Sequence, residues 1–343
     1  MISYFRSAVF ALLALSLLVI PGRGVSAQDE TPEAECVSTT PEENLAIADA
    51  YWSEAVWGNQ GKIKEVVAPD EIHHWGIAGT TTGIDEFMQR WALFNTAFPD
   101  LKFTVDLAVA DSDLVATYWT ATGTQEGEWQ GIAPTNTKVT WDGVNIFRIA
   151  CGMIAESWGE ANHLGLLAQL GDTNIPADLI DVPADAVSAT PVAADAAPCA
   201  DDSPETNLAI AQRWTDEVWT QQALAVLDEI ADPNIVHHGG AFPDAHGVEA
   251  VKSGVGAVLA TFPDIQLTMD ESFAADDLVA VRWSGVGTQN GDYLGLPPTG
   301  KEVEFSGINI YRIHCGKIVE SWSETNGLAV LQAIQESSAT PVA

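Results

Sequence analysis

At 343 residues the chain is long enough for two ordinary domains, and its 47% apolar content allows sizeable cores. Its 14 Lys+Arg stand against 48 Asp+Glu, a net charge of −34. That excess repels nucleic acid and anionic membranes, and it reads as solubility or as a fit to a salty or acidic habitat.

Residues 1–27 read as a secretory leader. Arg6 gives a positive start, Ala8 to Ile20 is an apolar run too short for a comfortable span, and Val25-Ser26-Ala27 is a small-residue cleavage signal. The expectation is a signal peptide cut after Ala27 and a secreted or extracytoplasmic protein with no membrane contact afterwards. An uncleaved anchor is the alternative, and Pro21-Gly22 argues against it. Residues 28–40 form an acidic spacer containing Cys36. Thr40-Pro41-Glu42-Glu43 then predicts a capping box with Pro at the first helical position, and Leu45, Ala48, Trp52, Ala55 and Val56 form an apolar stripe. A second short helix precedes Glu71-Ile72-His73-His74-Trp75. Gly83 to Phe98 reads as a third helix with Phe87, Trp91, Phe94 and Phe98 facing inward. Strand-like runs follow at 101–110, 113–125, 137–149 and 153–160, and Leu164 to Leu170 closes as a short helix.

Residues 172–203 are rich in Ala, Pro and Asp and read as a linker, after which the pattern restarts. Asn207-Leu-Ala-Ile-Ala211 repeats Asn44-Leu-Ala-Ile-Ala48, His237-His238 repeats His73-His74, and Phe262-Pro-Asp264 repeats Phe98-Pro-Asp100. Between Leu114–Trp158 and Leu278–Trp322, 23 of 45 positions are identical without a gap, so the chain is a duplication of one domain. The two copies are placed at 41–171 and 204–336, with a tail at 337–343. Only the pairing Cys36–Cys151 with Cys199–Cys315 keeps each bridge inside one copy and makes the copies alike.

The most informative stretch occurs in both copies: Gly143 to Asn162 and Gly307 to Asn326. Each reads as two strands joined by a tight Cys-Gly turn. Counting outward from that turn sets Phe147 opposite Glu156, Asn145 opposite Trp158 and Gly143 opposite Glu160. Asn145, Phe147, Glu156, Trp158 and Glu160 are then expected on one face, with Arg148 on the other. Asn309, Tyr311, Glu320, Trp322 and Glu324 repeat the set. Such a face is either a pocket wall or a solvated sheet with one Trp at a packing boundary.

These motifs, with Gly123-Thr124-Gln125, Pro134-Thr135 and Gly287-Thr288-Gln289, resemble the SnoaL-like polyketide cyclase (ester cyclase) family. The resemblance implies α+β architecture of the nuclear transport factor 2-like type. The expectation is two tandem cones, each a curved antiparallel sheet wrapped by about three helices around a cavity. It also implies chemistry without metal or cofactor, in which an Asp just after the Trp strand moves protons. That position is Asn162 here and Asn326 in the second copy, while Gln125 and Gln289 stand where His is common in the family.

His74 and His238 are expected in the pockets from the family pattern, since neighbours on a strand point to opposite faces. Glu160 and Glu324 are the candidate replacement bases. Trp119 with Gln125, and Trp283 with Gln289, alternate onto one face and are candidate pocket residues, as are Asn145, Trp158, Asn162, Asn309, Trp322 and Asn326. Two functions stand open: cyclase-, isomerase- or hydrolase-type acid/base chemistry on a hydrophobic carbonyl or ester compound, or non-catalytic binding of an apolar or aromatic ligand. Packing of the two copies as an intramolecular pseudo-dimer is a third, structural expectation.

Overall fold

The computed structural model describes residues 36, 38–56, 60–77, 79–172, 175, 199 and 203–338. The leader at 1–27 lies outside the described residues, as do most of the spacer, the linker and the tail. The first domain comprises α1 (Pro41–Ala50), a π-helical turn (Tyr51–Ala55), α2 (Gln60–Val66), β1 (Val67–Trp75), β2 (Gly79–Thr82), α3 (Ile84–Ala97), β3 (Lys102–Asp111), β4 (Leu114–Thr124), β5 (Lys138–Ala150), β6 (Met153–Ala161) and α4 (His163–Gln169). The second repeats it with α5 (Pro204–Arg213), a π-helical segment (Trp214–Thr220), α6 (Leu227–Ile230), β7 (Ala231–Gly239), β8 (Phe242–His246), α7 (Val248–Thr261), β9 (Gln266–Ala275), β10 (Leu278–Thr288), β11 (Glu302–His314), β12 (Lys317–Thr325) and α8 (Gly327–Ser338).

Local chemistry starts the helices where the sequence predicts. Glu43 N donates to Thr40 Oγ1 at 3.3 Å while Thr40 N donates to Glu43 Oε2 at 2.9 Å, which completes the capping box before Pro41. Ser203 caps α5 in the same way, accepting from Thr206 N at 3.3 Å. Gly83 and Gly247, at φ 84° and 85°, open α3 and α7.

Each domain carries a six-stranded sheet, in the order β2-β1-β6-β5-β4-β3 and its repeat β8-β7-β12-β11-β10-β9. The β1–β6 and β7–β12 pairings are parallel and the others antiparallel, so the sheet is mixed and wider than the four predicted strands. The Cys-Gly turns are two-residue hairpins with both residues at positive φ: 53° and 73° at Cys151-Gly152, 50° and 71° at Cys315-Gly316. Both disulfides join the predicted partners, with Cα–Cα distances of 4.8 Å for Cys36–Cys151 and 5.1 Å for Cys199–Cys315.

Just beyond the turn, the predicted register fails. Ile149 faces Ile154, but Arg148 faces Glu156, so Ala155 is one residue too many on β6. The same bulge leaves Val319 extra on β12. A slip of one residue exchanges the faces. Asn145 therefore pairs with Gly159, Phe147 with Ser157 and Gly143 with Ala161, while Trp158 and Glu160 pair with Ile146 and Val144. Glu156, Trp158 and Glu160 share the face of Arg148, contrary to the sequence expectation, and Glu320, Trp322 and Glu324 follow suit.

These second faces pack against each other. Tyr118, Val144 and Ile146 of the first domain form one buried cluster with Ile308, Ile310 and Trp322 of the second. Arg148 Nη2 donates to Glu271 Oε1 across the contact at 2.7 Å. At about 1.5–3 kcal/mol for each large apolar side chain withdrawn from water, this cluster is a substantial part of what holds the halves together. The opposite face of each sheet, with the helices, encloses a core, and Leu328 and Leu331 of α8 join the core of the first domain.

Candidate functional site

The second domain encloses a cavity of about 150 Å³ between its sheet and helices. Aromatic rings dominate the lining, among them Trp214, Trp283, Tyr293, Phe305 and Tyr311, and among the described residues no Asp, Glu, Lys or Arg borders it. Two polar side chains stand out. His237 projects from β7 and its Nδ1 meets Ser321 Oγ at 2.8 Å, while its Nε2 has no hydrogen-bond partner among the described residues. Burial, followed by the neighbouring His238, pushes the imidazole down to about 4, so at neutral pH it is uncharged. Asn309 projects from β11, where its Oδ1 accepts from Trp283 Nε1 at 2.5 Å. With the carbonyl so engaged, the amide Nδ2 is the end of this side chain left to donate. The indole lies flat across the next residue position on that face, where a Cβ on Gly307 would come within 2.2 Å of Trp283 Cζ2. Glycine is required there to let the Trp–Asn pair form. Burial raises the phenols of Tyr293 and Tyr311 well above their ordinary range, so both stay neutral.

The first domain keeps the Trp–Asn pair, with Trp119 Nε1 donating to Asn145 Oδ1 at 2.8 Å, but fills the space around it. The positions of Thr215, Gly239, Val251, Val255, Val258 and Leu267 are held by Trp52, Trp75, Phe87, Trp91, Phe94 and Phe103. Ring centroids lie 5.2 Å apart for Trp52–Trp119, 4.9 Å for Trp52–Phe103, 5.1 Å for Phe103–Trp119 and 5.7 Å for Trp91–Phe103. His73 is fully buried. Its Nδ1 meets Ser157 Oγ at 2.5 Å, and Ser157 donates to Glu71 Oε1 at 2.6 Å. Burial holds His73 down at about 3 and lifts Glu71 to about 7.

Several predicted site residues lie elsewhere. His74 and His238 are on the opposite face from the cavity, because His73 and His237 take the inward positions. His74 stacks on Trp158 and its Nε2 meets Glu156 at 3.0 Å. His238 stacks on Trp322 and bonds Asp244 at 2.9 Å and Glu320 at 3.3 Å. Burial opposes its charge, but those two hydrogen bonds outweigh it and lift His238 to about 9. Trp158, Trp322, Glu160 and Glu324 lie on the contact between domains, placed there by the bulges. Glu160 Oε1 accepts from Ser306 Oγ of the other domain at 2.6 Å. Burial raises Glu160 to about 8, and burial with the nearby Asp142 raises Glu324 well above the carboxylate range.

The amides divide. Gln125 donates to Ile132 O and Ala133 O and accepts from Thr135 N and Oγ1 at 2.9 and 2.6 Å. Gln289 holds Leu296, Pro297 and Thr299 in the same way. Both staple the loop after β4 or β10 and have no capacity left for a ligand. Asn162 caps α4, accepting from Gly165 N at 2.7 Å and donating to Asp142 at 3.2 Å. Asn326 does border the cavity, but its side chain is engaged with Ser306 N at 3.1 Å and Glu304 O at 3.2 Å. Of the predicted residues, the cavity thus gathers Trp283, Asn309, Asn326 and Tyr311 of the expected face, and adds His237. The strict alternation of His237-His238 was the sequence signal for His237. Choosing between the two needed the register.

The model of the SnoaL-like polyketide cyclase family matches residues 46–170 and again 209–334. Among solved structures, a SnoaL-like protein from Jannaschia sp. CCS1 is 25% identical, with TM-score 0.38, over 40% of this chain and 95% of its own. AclR from Streptomyces galilaeus is 27% identical, with TM-score 0.36, over 39% and 98%. IdmH from Streptomyces antibioticus is 26% identical, with TM-score 0.34, over 38% and 98%. No curated protein matches the chain. With both of its domains matched, this chain belongs to the SnoaL-like polyketide cyclase family, as two tandem copies.

Proposed function

We propose that this protein is an exported binder of a small, neutral, largely aromatic molecule with a carbonyl or hydroxyl group, and that the second domain is its working half. The observation that carries the reading is the cavity itself: an aromatic wall with neutral polar groups, His237 and Asn309 foremost, and no bordering carboxylate or cation among the described residues. An apolar space of about 150 Å³ suits a single six-membered ring. A charged ligand would enter it without a counter-charge and at high desolvation cost. The amide of Asn309 supplies a donor for a carbonyl, and His237 supplies a second polar contact. Export is supported by the leader pattern and by the two disulfides, which persist in oxidising compartments. Among the described residues no helix is long and apolar enough to cross a membrane.

The family's chemistry supplies a second reading, in which His237 takes a proton from the bound compound. Its unpartnered Nε2 favours this, and its low basicity and the lack of a bordering carboxylate among the described residues weigh against it. The test uses acetophenone and benzoate as probes, followed by tryptophan fluorescence and calorimetry. Binding of acetophenone with at least tenfold preference over benzoate is expected, with about tenfold loss in Asn309→Ala. Equal binding of benzoate would sink the neutral-ligand reading. Turnover of a carbonyl compound that His237→Asn abolishes would replace the binder by the enzyme.

A further inference from the structure

The largest unexplained feature outside the cavity is a pair of buried glutamates at the contact between domains. Glu160 and Glu324 are 7% and 2% exposed, and they end β6 and β12 at equivalent positions. Each faces the equivalent residue of the other domain: Glu160 Oε1 accepts from Ser306 Oγ on β11, and Glu324 lies near Asp142 on β5, where burial and that neighbour's charge push it up. Asp142 already accepts from Tyr118 Oη at 2.7 Å and from Asn162 Nδ2 at 3.2 Å. A buried carboxyl set beside such an acceptor is favoured in its protonated form. Glu324 Oε1 is buried with no donor facing it among the described residues, so an ionised Glu324 would be poorly supported. Both side chains are pressed onto backbone. A Cβ on Gly76 would lie 2.0 Å from Glu160 Oε2, and one on Gly240 would lie 2.6 Å from Glu324 Oε2.

The surrounding charges do not relieve them. Arg282 of β10 shares the cleft beside Glu160, but it is bridged to Asp270 at 3.1 Å and lies over Trp158 at 4.8 Å. Arg148 of β5 is shared among Asp113, Glu156 and Glu271. His74 of β1 is bonded to Glu156, and His238 of β7 to Asp244 and Glu320. Asp106 of β3, bonded to Thr120, adds negative charge near Asp142.

We infer that the contact between the two domains is a proton-operated latch, closed while Glu160 and Glu324 are carboxylic acids and loosened when they ionise. The upward shifts from burial, to about 8 for Glu160, place the release on the alkaline side of neutrality. At low pH both carboxyls sit neutral in the contact; Ser306 still donates to an ionised Glu160, so the opposition to ionisation is the burial of charge. As pH rises, two uncompensated charges appear on facing sheets and the domains part, tethered by the chain between them.

The experiment is small-angle scattering and thermal unfolding of the full chain between pH 5.5 and 9, beside Glu160→Gln/Glu324→Gln, whose amides cannot ionise. The parent is expected to expand and to lose about 10 °C of midpoint over this range, and the double variant to stay compact with less than half that loss. Equal expansion in both, or none in the parent, overturns the latch. If the double variant fails to fold, Asp142→Asn is used instead. It offers an ionised Glu324 a donor and is expected to remove about half of the pH dependence, and an unchanged profile overturns the proposal.

Discussion

The two domains share strand order, hairpin bulge, loop staple and Trp–Asn pair, yet one is packed solid around that pair and the other hollow. The difference comes from a handful of positions. Where the first domain has Trp52, Trp75, Phe87, Trp91, Phe94 and Phe103, the second has Thr215, Gly239, Val251, Val255, Val258 and Leu267. Aromatic rings meeting edge-to-face fill a cone interior, and Thr, Gly, Val and Leu at the same backbone sites leave it open. Duplication thus left one copy with a filled interior and the other with a hollow one.

Truncating the shared Trp tests that division most severely. Trp119→Ala should cost the first domain about 3–5 kcal/mol, because the ring is locked among Trp52, Phe103 and Asn145. Trp283→Ala opens onto existing space and should cost clearly less. Urea unfolding followed separately in the two halves measures both, and equal losses would contradict the contrast. Next in size is pH. His238 has Asp244 where His74 has Thr80. The folded value of about 9 exceeds the unfolded 6.5, so its stabilisation is complete below about 6.5 and is lost as pH climbs through 9. His238→Gln should remove up to about 3 kcal/mol at pH 6 and little at pH 10. His73 and His237, lowered to about 3 and 4, act in the opposite sense: they bind fewer protons folded than unfolded, so stability falls as pH drops from about 6.5 toward those values.

Refilling the cavity should convert one half into the other. Val258→Phe restores the ring present at Phe94 and is expected to abolish acetophenone binding, with a stability change within about 2 kcal/mol. Retention of binding would show that the ligand sits elsewhere. The smallest effect is expected from Gln125→Ala and Gln289→Ala. Each should lose a similar 1–2 kcal/mol or so through the unstapled loop, with ligand affinity unchanged for the second.

Much of this was legible from local chemistry. The capping box at Thr40, the Cys-Gly hairpins, the duplication, the disulfide partners and the family all rest on residues close together in sequence or on comparison of one copy with the other. Those features depend on dihedral preference, side-chain caps and repeat spacing, which the chain carries in each short stretch. Tertiary structure decided the faces and the space. A single extra residue at Ala155 and at Val319 moved Trp158, Glu160, Trp322 and Glu324 from the expected pocket to the contact between domains, and no propensity marks a bulge of this kind. It likewise selected His237 over His238. Whether a cone is hollow depends on side chains from helices and strands far apart in sequence meeting or failing to meet, a property of their summed volumes that appears only when the fold brings them together.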